Sequence, residues 1–302
     1  MKYILRVTEK KLLSITPTIY LIVLFLIPTL IMLLMAFRIP GNYGGVQPLI
    51  SKVNGINKLN LSLDSVKFAL TSKFIWQLSL RSLKYSIITT VCCLILGYPL
   101  AMLIARSSKK TRDFLLLLVI IPFWSCFLIR IYAWMIILGP QSIVNHAINY
   151  VITSLGFAPV NLLYSSFAVV ICLVYINLPF MILPLYANLE KHDHSVVEAS
   201  RDLGATRIQS FMQITIPLSM PGILAGSALV FIPSIGMFVV PELIGNNCSL
   251  MIGNLIKQQF LQTMNWPLGS VTSIVMTLIV LSIAGIAAIL ARKAGGLKYA
   301  NK

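Results

Sequence analysis

Runs of apolar residues without a single charge cover much of this 302-residue chain, at 12–37, 85–105, 131–189 and 258–291. A helix needs about 20 such residues to cross the hydrocarbon of a bilayer. Set against the polar breaks, the pattern predicts six spans, at about 12–37, 82–105, 114–138, 162–187, 218–240 and 268–291. The period-two alternation of a membrane β-barrel is missing. The expected fold class is therefore all-α: a polytopic membrane protein with six transmembrane helices. Prolines fall inside several spans, as membrane helices tolerate where neighbours repair the freed hydrogen bonds. Between the first two spans, 38–63 is rich in Gly, Asn, Ser and Lys and reads as a partly flexible loop. Residues 64–79 read as an amphipathic helix, either lying on the outer surface or packed on the bundle. Residues 140–161 read as an outer segment with a short helix.

Composition supports the same class. The chain is 58% hydrophobic and 11% charged, with a mean hydropathy of +0.88, against about 25% charged residues in a soluble domain. A net charge of +16 suggests nucleic acid as a partner, but the placement of the cations argues against it. With the N-terminus inside, four short inner segments hold fifteen of the 24 Lys and Arg, and the much longer outer segments hold eight. This is the positive-inside bias of a membrane protein, and it puts both termini in the cytoplasm. Seven of the eight outer cations lie in 38–84; long loops translocate largely regardless of charge. The remaining cation, Arg130, stands 16 residues above the inner end of its span, a rise of about 24 Å, which predicts that it snorkels to the outer interface. The 26 uncharged residues from position 12 are too many for a cleavable signal core, so the first span reads as retained. Cys92, Cys93, Cys126 and Cys172 read as small hydrophobes within spans. Cys248, in an outer loop, has no evident disulfide partner. Nucleotide-binding, hydrolase and metalloprotease motifs are all missing. His192 and His194 stand two apart and would not share a helix face. The chain therefore reads as a non-enzyme with no cofactor and no metal.

A polar island interrupts the apolar pattern at 188–217, where Glu190, Asp193, Glu198 and Asp202 are four of the chain's eight acids. Ser195-x-x-Glu198 and Thr206-x-x-Gln209 have the form of capping boxes, each marking a helix start. Gly204 between them supplies a left-handed stop. Two short helices joined at a glycine follow. On the first, Val196, Ala199, Ser200 and Leu203 fall on one small, mildly apolar face, which suits docking to a partner.

Glu198-Ala199-Ser200-x-x-x-Gly204 followed by Ile216-Pro217 resembles the coupling loop of ABC-type importer permeases. Ser200 stands where that family has a second alanine. The resemblance extends to Gly97-Tyr98-Pro99-Leu100-Ala101, Ile121-Pro122-Phe123-Trp124, Arg130-Ile131-Tyr132-Ala133-Trp134, Leu178-Pro179-Phe180 and Trp266-Pro267-Leu268-Gly269, all similar to the spermidine/putrescine branch. It implies a type I ABC importer permease fold, in which 1–79 form an N-terminal helix with an outer segment, 80–291 the permease domain with its coupling loop at 188–217, and 292–302 a basic cytoplasmic tail. It also implies an inner-membrane location, a cytoplasmic ATPase dimer, a second homologous permease subunit, a periplasmic substrate-binding protein and a polyamine cargo. Glu198, Ala199, Ser200, Leu203, Gly204 and Pro217 would then couple to the ATPase. Other organic solutes remain open as cargo. An ion-coupled secondary transporter is disfavoured, because the spans offer almost no ionisable residues.

A polyamine path would offer carboxylates and aromatic faces. Glu242, after Pro241, is one of two outer acids; a solvated acid paired with Lys257 is an equal reading. Trp124, Tyr132, Trp134, Tyr175 and Phe238 are aromatic candidates for the path. For each of them, core packing or an interfacial belt is the competing expectation.

Overall fold

The structure, a computed structural model, describes residues 2–53, 56–192, 195–245 and 249–296. Long helices dominate, as the bilayer requires when no water is present to satisfy the backbone. The chain forms two compact units, one of Met1–Trp76 with Leu255–Ile279, the other of Gln77–Asn254 with Val280–Lys302.

In the first unit, α1 (Lys2–Ala36) is a single helix through Pro17 and Pro28. Leu24, Phe25 and Leu34, on different faces of it, are all exposed. A helix apolar all round belongs in lipid or against another chain. Part of the segment read as a flexible loop forms an antiparallel hairpin, β1 (Ile50–Val53) with β2 (Ile56–Leu59), a small addition to a helical fold. The helix read at 64–79 is two elements. Helix α2 (Asp64–Thr71) stops at Ser72, whose ψ of 110° is extended. The next helix, α3 (Lys73–Arg106), then runs unbroken into the second span. The unit closes with a π-helical turn at Gln258–Gln262 and the first part of α12 (Trp266–Gly296).

The second unit is built around α7 (Ser166–Leu189), which is buried along most of its length. At 24 residues it rises about 36 Å, enough to cross the membrane. One apolar cluster joins its first half to α5 (Phe127–Leu138), Leu162, Leu163 and α11 (Val239–Leu243). A second joins its later half to α3 and α10 (Ile216–Ile235), with α4 (Lys109–Ile120) packed alongside. Gly222 and Gly226 of α10 face α7. A Cβ at Gly226 would come within 2.9 Å of Met181 Sδ, and one at Gly222 within 2.8 Å of Asn188 Cβ. This four-residue spacing of small residues lets two membrane helices touch backbone to backbone.

The third span departs from expectation. It is α4, a 3-10 turn at Ile121–Trp124 and then α5, with extended backbone at Ser125 and Cys126. Pro122 cannot donate to the ladder, which accounts for a break there. By length and apolarity alone, Phe127–Ser154 is also a candidate span. However, the chain turns at Gly139–Ser142 before α6 (Ile143–Ser154). Arg112 at the start of α4 bonds Glu190 just past α7 at 2.6 Å, while Leu138 at the end of α5 clusters with Leu162 and Leu163 just before α7. The crossing antiparallel to α7 is therefore 109–138, and α6 is the short helix expected in the segment that follows.

The glycine contact generates a prediction. Gly226→Val should destabilise the protein by about 1–3 kcal/mol and lower its melting temperature in detergent. Gly285→Ala, where an added Cβ meets open space, should change stability by less than about 0.5 kcal/mol.

Candidate functional site

The polar island folds as a sharp elbow. Helix α8 (Ser195–Asp202) begins at the serine read as its N-cap; the preceding Asp193 and His194 lie outside the described residues. Its end is a Schellman motif: Ala205 N–H donates to Ser200 O at 3.0 Å and Gly204 N–H to Arg201 O at 2.9 Å. Gly204 has φ +88°, a conformation costly for any residue carrying a Cβ. Thr206 then caps α9 (Arg207–Ser210) in the reciprocal capping box with Gln209, at 2.9 and 3.3 Å. From α9 the helix passes through a π-helical turn at Phe211–Thr215 straight into α10. Pro217 sits in the first turn of α10, directly after the π-helical turn. A push on the elbow is thus a push on a membrane span.

The elbow has an inner and an outer side. Val196, Ala199, Glu198 and Leu203 are exposed. Leu203 is 89% exposed, and Ile208 and Met212, one turn apart, are 73% and 58% exposed. A ridge of large apolar side chains on an otherwise polar segment marks a protein contact. Ser200 does not share that face. Its hydroxyl meets the buried Ser210 hydroxyl at 2.7 Å and donates to Val197 O at 2.8 Å. The expected four-residue face loses Ser200 because a hydroxyl gains more from a buried partner than from an apolar surface. Under the elbow, Val196 and Val197 line a small cavity with Met102, Ala105, Leu189 and Leu218, at the ends of α3, α7 and α10. Tyr98 of α3 braces the π-helical turn. Its hydroxyl meets Ser219 at 3.0 Å, and its ring stands edge-on to Phe211 at 5.7 Å. Arg112 and Glu190 tie the entry of the loop to α4, with Asp113 3.9 Å from the same arginine.

At the other end of the second unit the candidates for a path scatter. The fifth span stops at Ile235, earlier than expected, and Phe238 falls in the break at 236–238 before α11. Asn254 staples this break. Its amide donates to Phe238 O at 2.9 Å and its carbonyl accepts from Met251 N–H at 3.0 Å. Glu242 is exposed in the first turn of α11, where a carboxylate suits the helix dipole. Trp134 and Tyr175 come together edge-on at 5.6 Å. Among the described residues, Trp124, 77% exposed, and Tyr132, 50% exposed, do not stack on either ring.

Arg130 is not at the outer interface. Its guanidinium lies 5.6 Å from the Phe123 ring centre and 5.9 Å from that of Phe127, and Phe123 stacks edge-on against Phe180 at 5.1 Å. Phe180 is fourteen residues into α7, about 21 Å from its start. The broken helix invalidates the straight-rod estimate of its height. No group of three or more His, Cys, Asp or Glu fit to hold a metal occurs among the described residues.

The elbow is continuous with α10 and packs over the ends of α3 and α7. The chain belongs to the binding-protein-dependent transport system inner membrane component family, whose model matches residues 97–295. It is 45% identical over 206 residues to the spermidine/putrescine transport system permease protein PotB of Escherichia coli, covering 68% of this chain and 74% of that one. With the PotB of Haemophilus influenzae it shares 40% identity over 262 residues, 86% of each chain. Among solved structures it resembles a bacterial alginate ABC transporter in complex with a periplasmic protein bound to an alginate pentasaccharide. That match has a TM-score of 0.63 at 20% identity and covers 93% of both chains. An inward-facing methionine ABC transporter matches with a TM-score of 0.54 at 18% identity, over 74% of this chain and 99% of that one.

The Arg112–Glu190 pair generates a second prediction. Both side chains are partly exposed, at 24% and 38%, so the pair is worth about 0.2–1 kcal/mol. Arg112→Glu or Glu190→Arg alone should each lower the melting temperature of the purified protein. The double swap should restore it, and a thermal double-mutant cycle reads the coupling directly.

Proposed function

We propose that the chain is one of two homologous membrane subunits of an ATP-driven importer whose cargo is spermidine or putrescine. The carrying observation is the exposed apolar elbow on a helix that continues into the membrane, in a chain 40–45% identical to polyamine permeases over two thirds or more of its length. In this reading the basic end of the bundle faces the cytoplasm, because short segments dense in Lys and Arg stay there. Both termini lie on that side. The permease domain is 80–291 and the elbow its coupling loop.

The mechanism follows from the geometry. The chain has no nucleotide site of its own among the motifs that bind phosphates, so a cytoplasmic ATPase dimer supplies the energy. Leu203, Val196 and Ala199 enter a groove on that ATPase, with Ile208 and Met212 beside them and Glu198 at the rim. Gly204 sets the angle between α8 and α9. ATPase closure moves the elbow, and α9, the π-helical turn and α10 carry the movement into α7 through the glycine contact. Reversing the balance between inward-open and outward-open states takes several kcal/mol, which a nucleotide-driven closure supplies. A periplasmic binding protein recognises the cargo and delivers it at the opposite end, where Glu242, the Phe238 break and the Trp134–Tyr175 pair are the polyamine contacts.

The test is reconstitution of the complete complex in proteoliposomes. Leu203→Glu and Gly204→Asp should each reduce spermidine uptake more than tenfold and abolish co-purification with the ATPase, while the permease still reaches the membrane. Normal uptake in both variants contradicts the coupling role. ATPase activity that ignores polyamine-loaded binding protein but responds to another solute contradicts the cargo.

A further inference from the structure

We propose that Arg130 is a resident cation of the transport path, its guanidinium occupying aromatic faces that an ammonium group of the cargo takes over during import. The inference rests on the polyamine reading above and adds a competitor built into the chain itself.

Depth comes first. Ile131 next to it is fully buried against the first half of α7, in a cluster with Val169, Cys172 and Ile176. The Arg130 side chain reaches the Phe123 ring, which stacks on Phe180 in the later half of the same helix. The charge therefore sits between the two ends of a membrane span. It lies next to the long uncharged run 131–189. A cation at such depth is expensive against lipid and faces a water-lined cavity or a protein interior instead. Arg130 is half-buried, and the same cost directs its open side away from lipid.

The surroundings come second. Among the described residues no carboxylate lies within ion-pair distance of Arg130, and its buried Nε has no hydrogen-bond partner. Two rings are among its neighbours, both within the 6 Å over which a cation is attracted to an aromatic face. Phe180 extends the aromatic surface beyond them. Two phenyl faces and no acid hold a cation weakly. That suits a site that must be vacated in each cycle, and an alkylammonium meets the same faces by the same attraction. Arriving cargo exchanges with the guanidinium, so the path never presents an empty aromatic site to smaller cations.

Two measurements on the complete reconstituted complex test this. First, Arg130→Gln should lower the KM for spermidine uptake by about threefold to tenfold, Arg130→Lys should keep it close to the unmodified value, and Phe123→Leu with Phe127→Leu should raise it. Second, Phe127→Trp provides an emission reporter for tetramethylammonium, a probe that needs no assumption about cargo. Adding Arg130→Gln should tighten its binding several-fold. Complexes that bind the probe more tightly yet move no spermidine, even with Arg130 intact, would defeat the cargo reading and leave the cation site standing. An unchanged or raised KM in a normally folded Arg130→Gln complex, together with unchanged probe binding, overturns the resident-cation proposal.

Discussion

Two glycines one turn apart on α10 let that helix lie on α7 with almost nothing between the backbones, and the mechanics of the molecule depend on that contact. Membrane helices gain little from hydrophobic association, since lipid tails are as apolar as leucine, so close packing has to hold them. Met181 is the side chain at the centre. It is fully buried and lies against Gly226 of α10 and Gly97 of α3. Because interiors are close-packed, they pass displacement on rather than absorbing it. An elbow that moves α10 therefore moves α7, and with it α5 and α11 at the other end of the same helix.

Polar contacts shape the start of this route. The Schellman end of α8, the Thr206–Gln209 box and the Ser200–Ser210 hydroxyl pair fix the elbow as one body. Just beyond it the helix widens into a π-helical turn, a form frequent at functional sites. Tyr98 holds that turn from the side by a ring contact and a single hydroxyl bond. Elbow tip, turn and span follow one another without a break in the helix from Arg207 to Ile235.

Local rules in the sequence were enough to find the elbow. Gly204 and Thr206-x-x-Gln209 are short-range signals whose physics does not depend on the rest of the fold, and both took the predicted form. Five of the six spans were equally legible, because about 20 apolar residues have few alternatives in a bilayer. What failed needed knowledge of neighbours. Whether Pro122 kinks or breaks its span depends on what packs there, and the break misplaced Arg130. Whether Ser200 faces out depends on Ser210, ten residues away. The stop at Ser72 interrupts a pattern that otherwise reads as one amphipathic helix, and the hairpin strands, four residues each, are too short to show a period. Gly222-x-x-x-Gly226 was visible as a spacing but carries no weight until its face is known to meet α7.

The proposed function requires the elbow to be the contact with a cytoplasmic motor. The most direct measurement places one cysteine at the elbow, Leu203→Cys, with the five native cysteines replaced, and a second in the groove of the ATPase partner. The pair is then oxidised in membranes holding the full transporter. A disulfide that forms between the two chains in one nucleotide state, and shifts in yield when ATP is trapped on the ATPase, is the predicted result. Failure to cross-link in every state, with the cysteine at position 203 labelled instead by an impermeant reagent from the periplasmic side, contradicts it.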